Sequence, residues 1–172
     1  SGTRYQAYIH TNCTSGNSDT NELIFTTLAQ PVTSLPYHTG FELTDDLGWM
    51  MRNGVNAWCI DTAAKNSGDY GLYISNDGGV TNDYNVAVAC ESFAARNFTL
   101  DSGLYSLGFE WRCMGEGSST IYDYMQVFLA PASTDFTAAT IRTTDWTQLT
   151  PKLTNHADWM TAGLQFTVSN AG

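Results

Sequence analysis

Gly103-Leu104-Tyr105-Ser106-Leu107-Gly108-Phe109-Glu110-Trp111-Arg112-Cys113 alternates without a break. Tyr105, Leu107, Phe109, Trp111 and Cys113 fall on one side, and Ser106, Gly108, Glu110 and Arg112 on the other. A period of two over eleven residues is that of a β-strand with one face against a core and one toward water. Trp111, flanked at i±2 by Phe109 and Cys113, belongs to the core face. Glu110 and Arg112 share the other side, where an ion pair or a solvated sheet face accounts for both.

Outward from this strand the signals remain those of β-structure. Ile121 to Leu129 places Tyr122, Tyr124 and Phe128 opposite Ile121, Met125, Val127 and Leu129. Apolar groups on both faces predict a central strand covered on each side. Upstream, short strands are predicted at Asn56–Ile60, Gly71–Ser75 and Asn85–Ala89. The second runs into Asn76-Asp77-Gly78-Gly79, a hairpin-turn sequence because its residues tolerate positive φ. Downstream, Asp145 to Ala162 is polar apart from Trp146, Leu149, Leu153 and Trp159, and predicts one short helical turn. Leu164–Val168 reads as a last strand. Near the start, Tyr5–Ile9 and Glu22–Thr27 are strand-like around the polar loop Asn12–Asn21. Gln30 to Thr39 carries Pro31 and Pro36, the mark of a linker or an extended crossing segment. A module boundary is placed there, dividing residues 1–30 from residues 31–172. Short strands at close spacing with Gly, Asn and Asp turns predict an all-β fold, an antiparallel β-sandwich or jelly roll.

Composition agrees with that class. Charged residues make up 14% of the 172 residues, against roughly 25% in an ordinary soluble protein, and Thr, Asn, Ser and Gly carry the polarity instead. Lys plus Arg total 7 against 17 Asp plus Glu, for a formal charge of −10. Such a chain repels phosphate backbones and anionic lipid, so no nucleic-acid partner is expected. Acidity also suits a hard cation such as Ca²⁺, or simply solubility in a secreted protein. No apolar run approaches the ~18 residues that span a bilayer, so direct membrane insertion is not expected. The opening Ser1-Gly2, without an initiator Met, reads as the start of an excised segment of a larger chain. Cys13, Cys59, Cys90 and Cys113 form no C-x-x-C pair. Zinc is therefore not indicated, and three full disulfide pairings or free thiols remain open.

Leu35-Pro36-Tyr37, Gly40-Phe41-Glu42, Asn56-Ala57-Trp58 and Gly71-Leu72-Tyr73-Ile74-Ser75-Asn76-Asp77-Gly78-Gly79 occur in that order. Gly103-Leu104-Tyr105, Phe109-Glu110-Trp111, Gly115-Glu116 and Tyr124 to Pro131 follow. This order resembles the MAM-like, cleaved-adhesin or choice-of-anchor jelly-roll domains of Bacteroidetes-type surface proteins, over about residues 35 to 170. Tyr5-Gln6-Ala7-Tyr8-Ile9 and Ile24-Phe25-Thr26-Thr27 resemble the last two strands of a fibronectin type III domain. The resemblance implies a secreted or cell-surface protein, adhesion through glycan or extracellular protein, and other domains of the same parent chain as partners. It implies structural Ca²⁺ with Glu42 as a ligand, and closing strands beyond Gly172.

Candidate sites follow from residue chemistry. No G-x-S-x-G, H-E-x-x-H or nucleotide-binding glycine loop is present, so no enzyme is expected. His10, His38 and His156 are scattered and read as surface residues. A glycosidase needs two carboxylates across a cleft; Glu110, with Asp123 on the next predicted strand, offers a pair. For a metal, Glu42, Asp45 and Asp46 cluster, while Asp77 and Asp83 flank the predicted hairpin, where Asp77 also has a turn role. For a glycan, Trp49, Trp58, Trp146 and Trp159 are the aromatic faces on which sugar C–H groups could stack, with Tyr70, Tyr84 and Tyr122 behind them. Core packing is the competing role for each Trp. Asn12-Cys13-Thr14 and Asn97-Phe98-Thr99 match the glycosylation sequon, a match usually accidental in a bacterial protein, the source that the resemblance implies. The expected function is a non-catalytic adhesion or recognition module, the alternatives being an accessory domain of a secreted hydrolase or a spacer.

Overall fold

The alternating run forms the longest pairing in the chain. Leu, Phe, Tyr and Trp at every second position favour a pleated, half-buried strand, and Gly103–Cys113 pairs antiparallel with His156–Val168. The structure is a computed structural model that describes residues 4–10, 12–13, 16–17, 21–26, 30–45, 48–52, 54–115, 120–134 and 145–169. Cys13's side chain, Asp46 and Glu116 lie outside what is described.

In chain order the strands are β1 (Arg4–Ile9), β2 (Asn12–Cys13), β3 (Gly16–Asn17), β4 (Asn21–Thr26), β5 (Met50–Arg52) and β6 (Ala57–Asp61). They continue with β7 (Gly71–Ser75), β8 (Phe93–Ala95), β9 (Gly103–Cys113), β10 (Phe128–Leu129), β11 (Thr147–Gln148) and β12 (His156–Val168). The ladders β1–β4, β2–β3, β5–β8, β6–β7, β9–β12 and β10–β11 are all antiparallel. The described residues form strands and no helix, so the chain is all-β. No helix among them is long and apolar enough to cross a membrane.

In the β9–β12 ladder Tyr105 faces Phe166, Leu107 faces Leu164 and Phe109 faces Ala162 on the half-buried side. Ser106–Gln165, Gly108–Gly163 and Glu110–Thr161 are the pairs on the exposed side. Among the described residues Trp111, Leu153, Tyr73 and Ala64 are the buried apolar ones, and Trp111 takes His156 edge-on at 5.2 Å. Ser75 is fully buried. Burial without a partner would cost a hydroxyl about 1–3 kcal/mol, and Ser75 avoids this by donating to Asp77 Oδ1 at 2.6 Å.

Several expectations need correcting. Asp145–Ala162 contains no helical turn: β12 begins at His156. A register irregularity between His156 and Met160 breaks the alternation there, which disguised the strand. Ile121–Leu129 is not a central strand covered on both faces. Only Met125 bridges, to Leu153, before β10, and Tyr122 stays 67% exposed. Asn85–Ala89 is a turn with Val86 exposed, and the strand lies further on at Phe93–Ala95. Asn76-Asp77-Gly78-Gly79 makes a turn, with φ of 78° and 99° at its glycines, yet it closes no hairpin. β7 pairs back onto β6, and the loop is shut by Asn76 N–H donating to Asp83 O. The proline-rich segment is the crossing one: Val32 bridges parallel to Phe98, Tyr37 packs edge-on against Phe98 at 5.4 Å, and Arg96 donates to Gln30 O.

Candidate functional site

The pleat of β9 and β12 gathers one row of polar groups on the solvent side. Thr161 Oγ donates to Glu110 Oε1 at 3.1 Å, and Asn66 Nδ2, from the loop between β6 and β7, donates to Glu110 Oε2. The Arg112 guanidinium lies over the Trp159 ring, 5.2 Å from its centroid. A cation held on an indole face gains about 0.5–1 kcal/mol at an exposed site. Beyond Glu110 the ladder pairs Gly108 with Gly163, so bare backbone is exposed where side chains would stand. An open depression of about 500 Å³ lies at this pair, lined by Ser106, Gly108, Gly163 and Gln165 of the exposed side and by Leu107 and Leu164 of the half-buried side. The row therefore offers an aromatic edge, a cation, a carboxylate, two amides and a hydroxyl along one face.

The other three tryptophans are placed differently. Trp58 is half-buried and donates from Nε1 to Ser92 O at 3.0 Å. Trp146 stands edge-on to both Phe93 and Phe128 at 5.7 Å, closing an aromatic cluster. Trp49 packs against Phe41 at 5.5 Å, and its buried Nε1 has no hydrogen-bond partner among the described residues. Trp159 alone of the four stands on the polar face of the long ladder. Tyr84 holds Asp123, donating to its Oδ2 at 3.0 Å, and Asp123 sits in a loop, not on a strand beside Glu110. His10, His38 and His156 are exposed.

Glu42, Asp45 and Asp77 all accept hydrogen bonds within the fold, Asp45 and Asp77 from their own loops and Glu42 from the loop between β6 and β7. Asp45 Oδ2 accepts from Gly40 N–H at 2.8 Å, Glu42 N–H at 3.1 Å and Thr39 Oγ at 3.2 Å. The Gly40 N–H foremost holds the Asp45 carboxyl below its ordinary range. Glu42 Oε1 accepts from the N–H groups of Asp69 and Tyr70 at 2.9 and 3.3 Å. Six to eight oxygens surround a bound Ca²⁺, and among the described residues no three His, Cys, Asp or Glu side chains gather as a metal site.

Asp77 organises the turn after β7. Ser75 Oγ and Thr81 N–H donate to its Oδ1, and Thr81 Oγ to its Oδ2, at 2.6, 2.9 and 2.8 Å. Led by the Ser75 hydroxyl, these bonds pull its pKa from 3.8 to about 2. A carboxylate with a depressed folded-state pKa stabilises the fold fully above 3.8 and loses that contribution as pH falls through about 2. Asp77→Asn is therefore expected to flatten the acid limb of the stability profile across that interval. Thermal melts at successive pH values check this, and an acid limb identical to that of the unsubstituted chain contradicts it.

Cys59, Cys90 and Cys113 are free thiols. Burial raises the pKa of Cys59, with Asp61 adding to it, and burial likewise raises that of Cys113. Both stay protonated and poorly nucleophilic at neutral pH.

Sequence alternation had already placed Glu110 and Arg112 on one face. It carried no signal for Asn66, which arrives from a loop 44 residues away, nor for Thr161, hidden by the irregular start of β12; Gln165 lay within the strand expected at Leu164–Val168. Compared with known proteins, the chain matches no family model, no curated protein and no solved structure.

Proposed function

We propose that the chain is a non-catalytic recognition module that binds glycan on the exposed face of the β9–β12 ladder. One observation carries the reading: Trp159, Arg112, Glu110, Thr161, Asn66 and Gln165 share a solvent-facing surface beside the Gly108–Gly163 depression. A sugar presents apolar C–H faces and a ring of hydroxyls, and this row supplies an indole edge with both donors and acceptors. Catalysis has no comparable support. Glu110 has a donor on each oxygen and Asp123 is held by Tyr84 in a loop, so these two carboxylates are engaged separately and not paired across a cleft as glycoside hydrolysis needs.

The setting follows the motif order: residues 31–172 as an antiparallel jelly-roll sandwich of the adhesin type, preceded over residues 1–30 by fibronectin type III-like strands, in a secreted or cell-surface bacterial protein. Calcium has no task in binding under this reading. Asp45 and Asp77 accept N–H and O–H donors of their own loops, and Glu42 accepts N–H donors of the loop between β6 and β7.

A glycan array probed with the chain and with Trp159→Ala tests the proposal. Binding is expected for the unsubstituted chain and at least tenfold weaker binding for the variant, about 1.4 kcal/mol, with an unchanged far-UV spectrum. Equal binding by both removes Trp159 from the site. Polysaccharide hydrolysis by the chain that disappears in Glu110→Gln overturns the non-catalytic assignment.

A further inference from the structure

We infer that the glycan bound on this face carries a carboxylate, as a terminal acidic sugar does, and that Arg112 reads it; this rests on the glycan-binding proposal above. Arg96 and Lys65 are tied to backbone carbonyls, and Lys152, exposed over an exposed ring, is a point charge without a planar fork. Arg96 donates to Gln30 O and Asn97 O, Lys65 donates to Asp69 O, and Lys152 lies 3.9 Å from the centre of the Tyr124 ring. Arg112 is exposed, and among the described residues its only contact of this kind is the Trp159 ring. At 5.2 Å from the ring centroid the guanidinium keeps its N–H groups clear of any hydrogen bond among the described residues. A planar fork of donors kept beside an indole can make two parallel bonds to a carboxylate.

Covering that fork with a neutral ligand would strip its water without replacing the hydrogen bonds, at a cost that grows with burial. A ligand carboxylate replaces them. The neighbouring charge then fixes the orientation. Glu110 lies two residues along the same strand face, roughly 7 Å away, and repels an anion placed over it. The ligand carboxylate therefore sits at the Arg112–Trp159 end, and the hydroxyl-bearing rings extend past Glu110 toward Gly108 and Gly163. Glu110, oriented by Asn66 and Thr161, accepts from ring hydroxyls there. A chain of formal charge −10 resists a polymer charged on every ring, so an isolated acidic residue on a neutral oligosaccharide fits best.

The experiment compares matched probes on the full chain. Isothermal titration with 3′-sialyllactose, its methyl ester and lactose is run beside a glycan array holding sialylated, uronate-capped and neutral chains, and beside hexaglutamate. Acidic probes are expected to bind at least tenfold more tightly than their neutral twins, with the preference weakening as salt rises. Arg112→Gln is expected to abolish the preference, and Arg112→Lys, which keeps the charge without the fork, to restore part of it. Equal binding of acidic and neutral twins overturns the inference and leaves the glycan-binding face standing. A blank array overturns both. Binding of hexaglutamate with a blank array assigns Arg112 to an acidic peptide and overturns the glycan assignment.

Discussion

Trp111→Ala is expected to lower the thermal midpoint by roughly 6–20 °C, the equivalent of about 3–5 kcal/mol in a chain of this size. Trp111 is 8% exposed and is the largest of the buried apolar side chains. It sits near the end of β9, with the His156 ring edge-on at 5.2 Å, where the register of β12 is irregular. Truncation removes the indole's transfer free energy and leaves a cavity that a two-stranded ladder can close only by shifting its strands. Glu110 and Arg112 flank Trp111, so the indole also anchors the pleat that holds both on the opposite face. Trp111→Phe, which keeps an aromatic ring against His156, is expected to lose less than half as much. Melting curves of the two variants decide the matter, and a loss below about 1 kcal/mol for the alanine variant would show that the site collapses without penalty.

How far the fold could be read from sequence depended on whether each signal was local. β9 was legible to the residue because unbroken alternation is itself the cause of a half-buried strand, and β7 because a short apolar run ends at a Gly-rich turn. β12 was half legible: Leu164, Phe166 and Val168 alternate, but the irregularity before Met160 puts Trp159 out of phase with them. Ile121–Leu129 misled for the opposite reason. Its aromatic residues look like a doubly covered strand, yet Tyr122 and Tyr124 remain exposed beside a single bridge at Met125. The Asn-Asp-Gly-Gly turn showed where the chain reverses, and could not show that β7 already had its partner in β6. The candidate site divided in the same way. Glu110 and Arg112 were visible as one strand face, and Trp159 was visible as an aromatic, but their meeting depends on a cross-strand register with no local trace. Glu42, Asp45 and Asp77 were visible as acids; many of the donors that occupy them are backbone N–H groups, which every sequence has and none displays.

Gly71→Ala is expected to cost about 3 kcal/mol, at the upper end for overpacking, and to weaken ligand binding with it. A Cβ built on Gly71 lies 2.1 Å from Ala64 O and 3.2 Å from both Ala64 C and Lys65 Cα. These are backbone atoms, so no rotamer change relieves the overlap and the loop between β6 and β7 must move. That loop carries Asn66, which orients Glu110, and the N–H groups of Asp69 and Tyr70, which hold Glu42. Its displacement thus loosens the polar row on β9 from a distance. Gly163→Ala supplies the contrast. Nothing stands within 4 Å of a Cβ there, so stability is expected to hold or rise slightly, since glycine is the weaker strand former, while the methyl group fills the floor of the depression. Denaturant unfolding and glycan titration of both variants separate the two effects. If Gly71→Ala leaves stability and affinity untouched, the close approach of β7 to Ala64 is not what holds Asn66 over the ladder.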